Sequence, residues 1–129
     1  MRILILYSST DGQTKIISQK IKEHLSTKKE VELFSLNEPF NLNLESFSLI
    51  IIGASIRYGK HKKEVYDFIK TNKSILERKK SAFFSVNVVA RKIEKNTAET
   101  NPYINKFLKI SKWKPNKISV FAGKVDYPN

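Results

Sequence analysis

Ser8-Ser9-Thr10-Asp11-Gly12-Gln13-Thr14 gathers short hydroxyls, an amide and a glycine into one segment near the amino terminus. Such side chains, with the backbone freedom of glycine, let N–H and O–H donors converge on an anion. The segment follows an apolar run, Arg2-Ile3-Leu4-Ile5-Leu6-Tyr7, and precedes a helical pattern, so the positive end of a helix dipole adds attraction for a dianionic phosphate. It has neither the lysine of a nucleoside-triphosphate loop nor the G-x-G-x-x-G spacing of a dinucleotide fold. The chemistry points to a phosphate monoester such as FMN. An ordinary Ser/Thr-capped turn stays open as the plainer reading.

Two further segments carry residues that core packing does not explain. Gly53-Ala54-Ser55-Ile56-Arg57-Tyr58-Gly59 combines a glycine at each end with an aromatic, an aliphatic and a guanidinium, a set suited to lie over a flat ring. Its alternative is a tight strand-to-helix connection in which Tyr58 covers a sheet edge. Ser85-Val86-Asn87-Val88-Val89-Ala90-Arg91-Lys92 offers backbone amides and an Asn amide, or else a strand end running into a solvated turn. Of the two histidines, His24 falls mid-helix, whereas His61 falls at the start of a helix near these segments and is the better candidate for proton handling, a neutral helix-start histidine being the plainer reading.

The elements that must position these segments alternate. Strands are predicted over Arg2–Tyr7, Glu30–Ser35, Ser48–Gly53, Ser81–Asn87 and Lys117–Gly123. Between them, Ile17, Ile21 and Leu25 form one helical stripe, and Val65, Phe68, Ile69, Asn72, Ile75 and Leu76 form another. A third helix begins at Asn101 or Pro102, capped by Thr100 or Asn101, and buries Ile104, Phe107 and Leu108. Only a turn or so of helix is expected around Leu42–Phe47. The pattern predicts one α/β domain over residues 1–129: a doubly wound, five-stranded parallel sheet in the flavodoxin-like order 2-1-3-4-5. Right-handed crossovers put the first helix alone on its face. The chain ends six residues after Gly123, so a last helix is expected to be missing and part of the sheet exposed.

Composition narrows the chemistry. The 129 residues include no cysteine, which removes disulfides, thiol catalysis and Cys-ligated metals, and no metal site is expected. Apolar runs are too short to span a bilayer as a helix. Lysine and arginine outnumber acids 24 to 12, a formal charge of +12 that attracts nucleic acid, anionic lipid or acidic small molecules alike. The positive residues are scattered without a base-reading motif, which disfavours nucleic acid as the partner.

The phosphate loop, Gly53–Gly59, Ser85-Val86-Asn87 with Val89-Ala90-Arg91-Lys92, Thr100-Asn101, and Trp113 with Pro115 are together similar to the flavodoxin-like, quinone-dependent protoporphyrinogen IX dehydrogenases of bacterial haem synthesis. The likeness is collinear through nearly all of the chain. It implies an FMN enzyme that oxidises protoporphyrinogen IX to protoporphyrin IX and passes electrons to menaquinone or ubiquinone. It also implies peripheral attachment to the cytoplasmic side of the bacterial inner membrane. On this likeness Ser9, Thr10, Asp11, Gly12, Gln13 and Thr14 hold the phosphate, with Asp11 turned outward or capping an amide. The ring lies between Ile56, Arg57 and Tyr58 on one side and Ser85, Val86, Asn87, Val88 and Val89 on the other. The flavin carries the redox step, and Arg57, Arg91 or Lys92 pairs with a substrate propionate.

The family continues past the Tyr127-Pro128 position into a basic, hydrophobic membrane-associating stretch and a closing helix. Without that stretch a cytoplasmic location is the alternative. A flavodoxin-type electron carrier and an inactive truncated remnant are the alternative functions, and a homo-oligomer covering the open face is a further expectation.

Overall fold

The computed structural model describes residues 2–8, 12–37, 41–57, 60–87 and 99–122. Five parallel strands form the sheet: β1 (Arg2–Ser8), β2 (Glu30–Ser35), β3 (Leu49–Arg57), β5 (Lys80–Asn87) and β6 (Lys117–Ala122). Their order is β2-β1-β3-β5-β6, and a two-residue strand β4 (Lys60–His61) pairs antiparallel with the end of β3. Helices α1 (Gln13–Leu25), α2 (Lys63–Arg78) and α3 (Pro102–Ser111) pack on the sheet, and a 3-10 turn spans Leu44–Ser46. This is the flavodoxin-like order expected from the alternation. No helix among the described residues is long and apolar enough to cross a membrane.

Strand parity divides the interior into two cores, because successive side chains of a strand point to opposite faces. Leu4, Leu6, Ile50, Ile52, Ala54 and Phe83 face α2 and α3, where Val65, Ile69, Leu76, Ile104, Phe107 and Trp113 cover them. Phe107 stacks on Phe83 with ring centroids 3.8 Å apart, and Trp113 meets both rings edge-on. The opposite parity, Ile3, Ile5, Ile51, Phe84 and Val86, faces α1 through Ile17, Ile21 and Leu25.

Two corrections concern the edge that carries the candidate site. Gly53 does not end the third strand: β3 runs on to Arg57, pairing Ala54 with Ser85 and Ser55 with Val86, then Ile56 with His61 and Arg57 with Lys60. Gly53–Arg57 is therefore strand, and its glycine serves packing. A Cβ at Gly53 would lie inside the Phe84 ring, which crosses the strand at that point. Nor does His61 start a helix: it belongs to β4, and Lys62 occupies the N-cap of α2.

Among the described residues α1 is the helix packed against its face of the sheet. Beside it an open groove of about 430 Å³ is lined by Ile17, Lys20, Ile21, His24, Leu25 and Phe121, and Phe121 is 38% exposed. His24 is exposed near the carboxyl end of α1. Two outcomes follow. Gly53→Ala, which forces Phe84 or the strand to move, should lower unfolding free energy by about 1–3 kcal/mol in urea titrations, and Phe84→Leu in the same chain should restore part of that loss. A hydrophobic dye should bind the folded chain, with Phe121→Ser reducing the signal while the thermal transition stays sharp.

Candidate functional site

The carboxyl ends of β1, β3 and β5 lie side by side through the pairings Ser8–Ala54 and Ala54–Ser85. At the end of β1 the Ser8 hydroxyl turns to the α2 face and donates to Glu64 Oε1 at 2.7 Å. The Asn37 amide, oriented so that both its ends are satisfied, also donates to Glu64, and Lys62 Nζ lies 3.8 Å from the same carboxylate. Ser8 thus anchors β1 to the first turn of α2.

Gly12 caps α1 with φ 91°, a left-handed conformation that a side chain would strain. The first turn of α1 contains no acidic residue. Thr14 is fully buried there, and its Oγ1 has no hydrogen-bond partner among the described residues, although its carbonyl accepts from Ser18 Oγ at 2.7 Å. A buried hydroxyl without a partner costs about 1–3 kcal/mol, which a ligand acceptor would recover. Ser55 shows the same state: 6% exposed, Oγ unpaired, and of the same strand parity as Ile51 and Gly53, hence on the α1 side. A left-handed glycine cap, a first turn free of acids and an unpaired buried hydroxyl fit a phosphate monoester.

On the other face a buried chain of polar side chains joins three elements. His61 Nε2 lies 2.8 Å from Ser85 Oγ. Asn87 Nδ2 donates to Ser85 Oγ at 3.0 Å and to Asn101 Oδ1 at 3.3 Å, and Asn101 Nδ2 returns a bond to Asn87 Oδ1 at 2.9 Å. Asn101 is also the N-cap of α3, its Oδ1 accepting from the Tyr103 and Ile104 amides. The His61 ring stands edge-on to Phe83 and Phe107 at 5.6 and 5.5 Å and to Tyr66 at 6.5 Å. Burial among these rings, with a smaller contribution from the charge of Lys106, pushes the His61 pKa down to about 4. Burial likewise raises that of Tyr66. The ring is therefore neutral near pH 7. Ser85 Oγ accepts from Asn87 and shares a second hydrogen bond with His61 Nε2, whose direction is set by the imidazole tautomer.

The structure brings Gly12, Gln13 and Thr14 to one helix start and places Ile56, Ser85, Val86 and Asn87 at the adjoining strand ends. Val86 is a core side chain against α1, while Ser85 and Asn87 belong to the polar chain. Both amide hydrogens of Asn87 are committed within that chain. The backbone of Arg57 lies in β3. Ser9, Thr10, Asp11, Tyr58, Val88, Val89, Arg91 and Lys92 lie outside the described residues. Sequence reasoning placed Ser55 in the segment after the third strand but gave its hydroxyl no role. It also read Asn101 only as a helix cap. The sequence signal for its second role was a second Asn at the end of the preceding strand.

A doubly wound parallel sheet in this strand order defines the flavodoxin-like class of α/β domains. A family model described as the flavodoxin domain matches residues 4–129, and the chain belongs to that family. It is 42% identical over 129 residues to a protein from Leishmania major named protoporphyrinogen IX dehydrogenase [quinone], covering 98% of this chain and 56% of that one. A protein of the same name from Escherichia coli (strain K12) is 40% identical over 132 residues, covering 99% of this chain and 71% of the relative. The chain thus spans between about half and three quarters of these relatives' lengths. Among solved structures, a flavoprotein from Lactobacillus acidophilus in complex with FMN superposes with a TM-score of 0.65 at 17% identity, over 92% of each chain.

The buried histidine makes a pH test. Its folded pKa is depressed, so between about pH 6.5 and 4 the unfolded chain takes up a proton that the folded chain refuses. Stability should be flat with respect to this group above pH 6.5 and should fall by roughly 3 kcal/mol as pH drops through that window. Urea midpoints at pH 7.5 and 4.5 check this: His61→Gln should be less stable at pH 7.5 but lose less on acidification, the common carboxylate contribution cancelling between the two proteins.

Proposed function

We propose that this chain binds FMN at the carboxyl edge of β1, β3 and β5 and serves as a protoporphyrinogen IX dehydrogenase with a quinone as electron acceptor. The observation that carries the reading is the unpaired, fully buried Thr14 hydroxyl behind the left-handed Gly12, in a chain whose relatives across nearly all its length bear that enzyme's name. Gly12, Gln13 and Thr14, with Ser9 and Thr10 in the same loop, would hold the phosphate. Asp11 would not contact it directly, because two anions in contact repel. The Ser55 hydroxyl on the α1 side, with the main chain at the ends of β3 and β5, would orient the ring.

When bound, the flavin supplies electron exchange at its N5, and the protein supplies position and the exclusion of side reactions. The apolar walls beside that edge, including Val86 and Phe84, limit water. His61 is neutral near pH 7, and its ring nitrogen is paired with Ser85. Arg57, Arg91 and Lys92 are the proposed partners of the substrate propionates, on the basis of their charge and their sequence positions, Arg57 as the last residue of β3 and Arg91 and Lys92 following β5. The high positive charge also suits peripheral binding to an anionic membrane surface at the cytoplasmic side, where a quinone would be met.

A flavodoxin-type carrier uses the same fold, and the experiment separates the two. FMN is titrated into purified protein and followed by visible absorbance; protoporphyrinogen IX and a quinone are then added without oxygen. Stoichiometric binding and porphyrin formation that requires quinone are expected. Binding without porphyrin formation would leave the carrier. Thr14→Ala should weaken FMN by about tenfold to a hundredfold, the value of a hydrogen bond to a charged phosphate. Arg91→Ala should weaken substrate while FMN stays bound; unchanged substrate affinity would refute the propionate assignment.

A further inference from the structure

His61, Ser85, Asn87 and Asn101 are 2%, 0%, 3% and 0% exposed, so the chain they form is fully withdrawn from water. Polar side chains are not required to bury this face. Below the chain the same interface between α3 and β5 is closed by Phe83, Phe107 and Trp113. A buried polar network is tolerated when every member is paired, and it then selects one arrangement of the elements it joins. Here the members are paired in sequence from β4 through β5 to the first turn of α3. They also cluster at the carboxyl edge: Ser85 and Asn87 close β5, Asn101 opens α3, and His61 is held against the end of β3 by its pairing with Ile56.

The count of donors says what the chain does. Asn87 has two amide hydrogens, and Ser85 and Asn101 take both. Asn101 uses one oxygen for three donors, namely Asn87 and two helix amides. The Asn87 side chain therefore fixes the end of β5 in place of donating to a ligand. We propose that His61, Ser85, Asn87 and Asn101 act as positioning residues, locking the ends of β3 and β5 and the start of α3 into the one geometry that receives the ring of a bound flavin. This rests on the FMN reading above and assigns these four residues no contact with the ring.

Asn101→Ser tests it. Serine keeps an oxygen for the Tyr103 and Ile104 amides but removes the donation to Asn87. Ser85→Ala breaks the chain at its middle by removing a single hydroxyl. For both variants, with wild type and Thr14→Ala alongside, FMN affinity, the visible bands of bound FMN and the melting temperature of the flavin-free protein are measured. Both chain variants should weaken FMN by about tenfold and shift its visible bands, while the flavin-free protein still melts cooperatively above the assay temperature. Thr14→Ala should weaken FMN without moving the bands, since its contact is with the phosphate. Wild-type affinity and bands in both chain variants would overturn the positioning role while leaving FMN binding intact. Weaker binding with unmoved bands, or binding lost only with the fold, would overturn it as well. Failure of the folded wild type to bind FMN would instead overturn the cofactor reading, and this inference with it.

Discussion

Parity along the central strands is the constraint on which the rest depends. β3 and β5 are covered on both faces, so each residue belongs to one core or the other, and a slip of one position would exchange every assignment. Gly53 shows how tightly this is set. It shares a face with Phe84, and only the absence of its own side chain lets the ring cross the neighbouring strand. Beyond that contact the alternation delivers Ser85 and Asn87 to the α3 side and Ser55 to the α1 side. The candidate site is thus the end of a packing pattern rather than a separate insertion.

The two faces finish differently at that edge. On the α3 side the polar groups of the chain from His61 to Asn101 find one another, and an imidazole is kept neutral by the aromatic rings around it. On the α1 side the hydroxyls of Thr14 and Ser55 find no partner among the described residues. The α2 and α3 side also buries the Tyr66 hydroxyl and the Trp113 indole nitrogen without a partner among the described residues, but outside the satisfied chain. This buried arrangement is independent of the large positive charge, whose visible ion pairs are surface contacts such as Arg2 with Glu32 and Arg78 with Glu45.

The architecture was legible because periodicity is a local signal. Apolar runs at Ile3–Leu6 and Leu49–Ile52 fit strands buried on both faces, and the stripe through Val65, Ile69 and Leu76 fits a helix on a sheet. The glycine of the first loop was legible for the same reason, since a positive φ at a helix start is a property of the residue itself. The bent-back end of β3 was not. Gly53 looked like a strand terminator, whereas its role is set by a ring thirty-one residues away in sequence, between Gly53 and Phe84. Likewise His61 could be placed near the site but not assigned its partners, because burial by Phe83 and Phe107 and the bond to Ser85 exist only once β5 and α3 are assembled.

The short return of the chain from β3 into β4 also bears on how the molecule assembles. Ile56 and His61 pair across a hairpin, so their meeting requires closing only a small loop, while the parallel pairing of β1 with β3 must first bring together segments more than forty residues apart. The entropy of closure grows with that separation, and non-local parallel pairing is the slow part of such folds. The imidazole is therefore carried to the strand end by the cheapest contact in the sheet. The ring's remaining partners, Ser85 from β5 and Phe107 from α3, are brought by segments distant in sequence, so its withdrawal from water depends on the non-local assembly of the sheet.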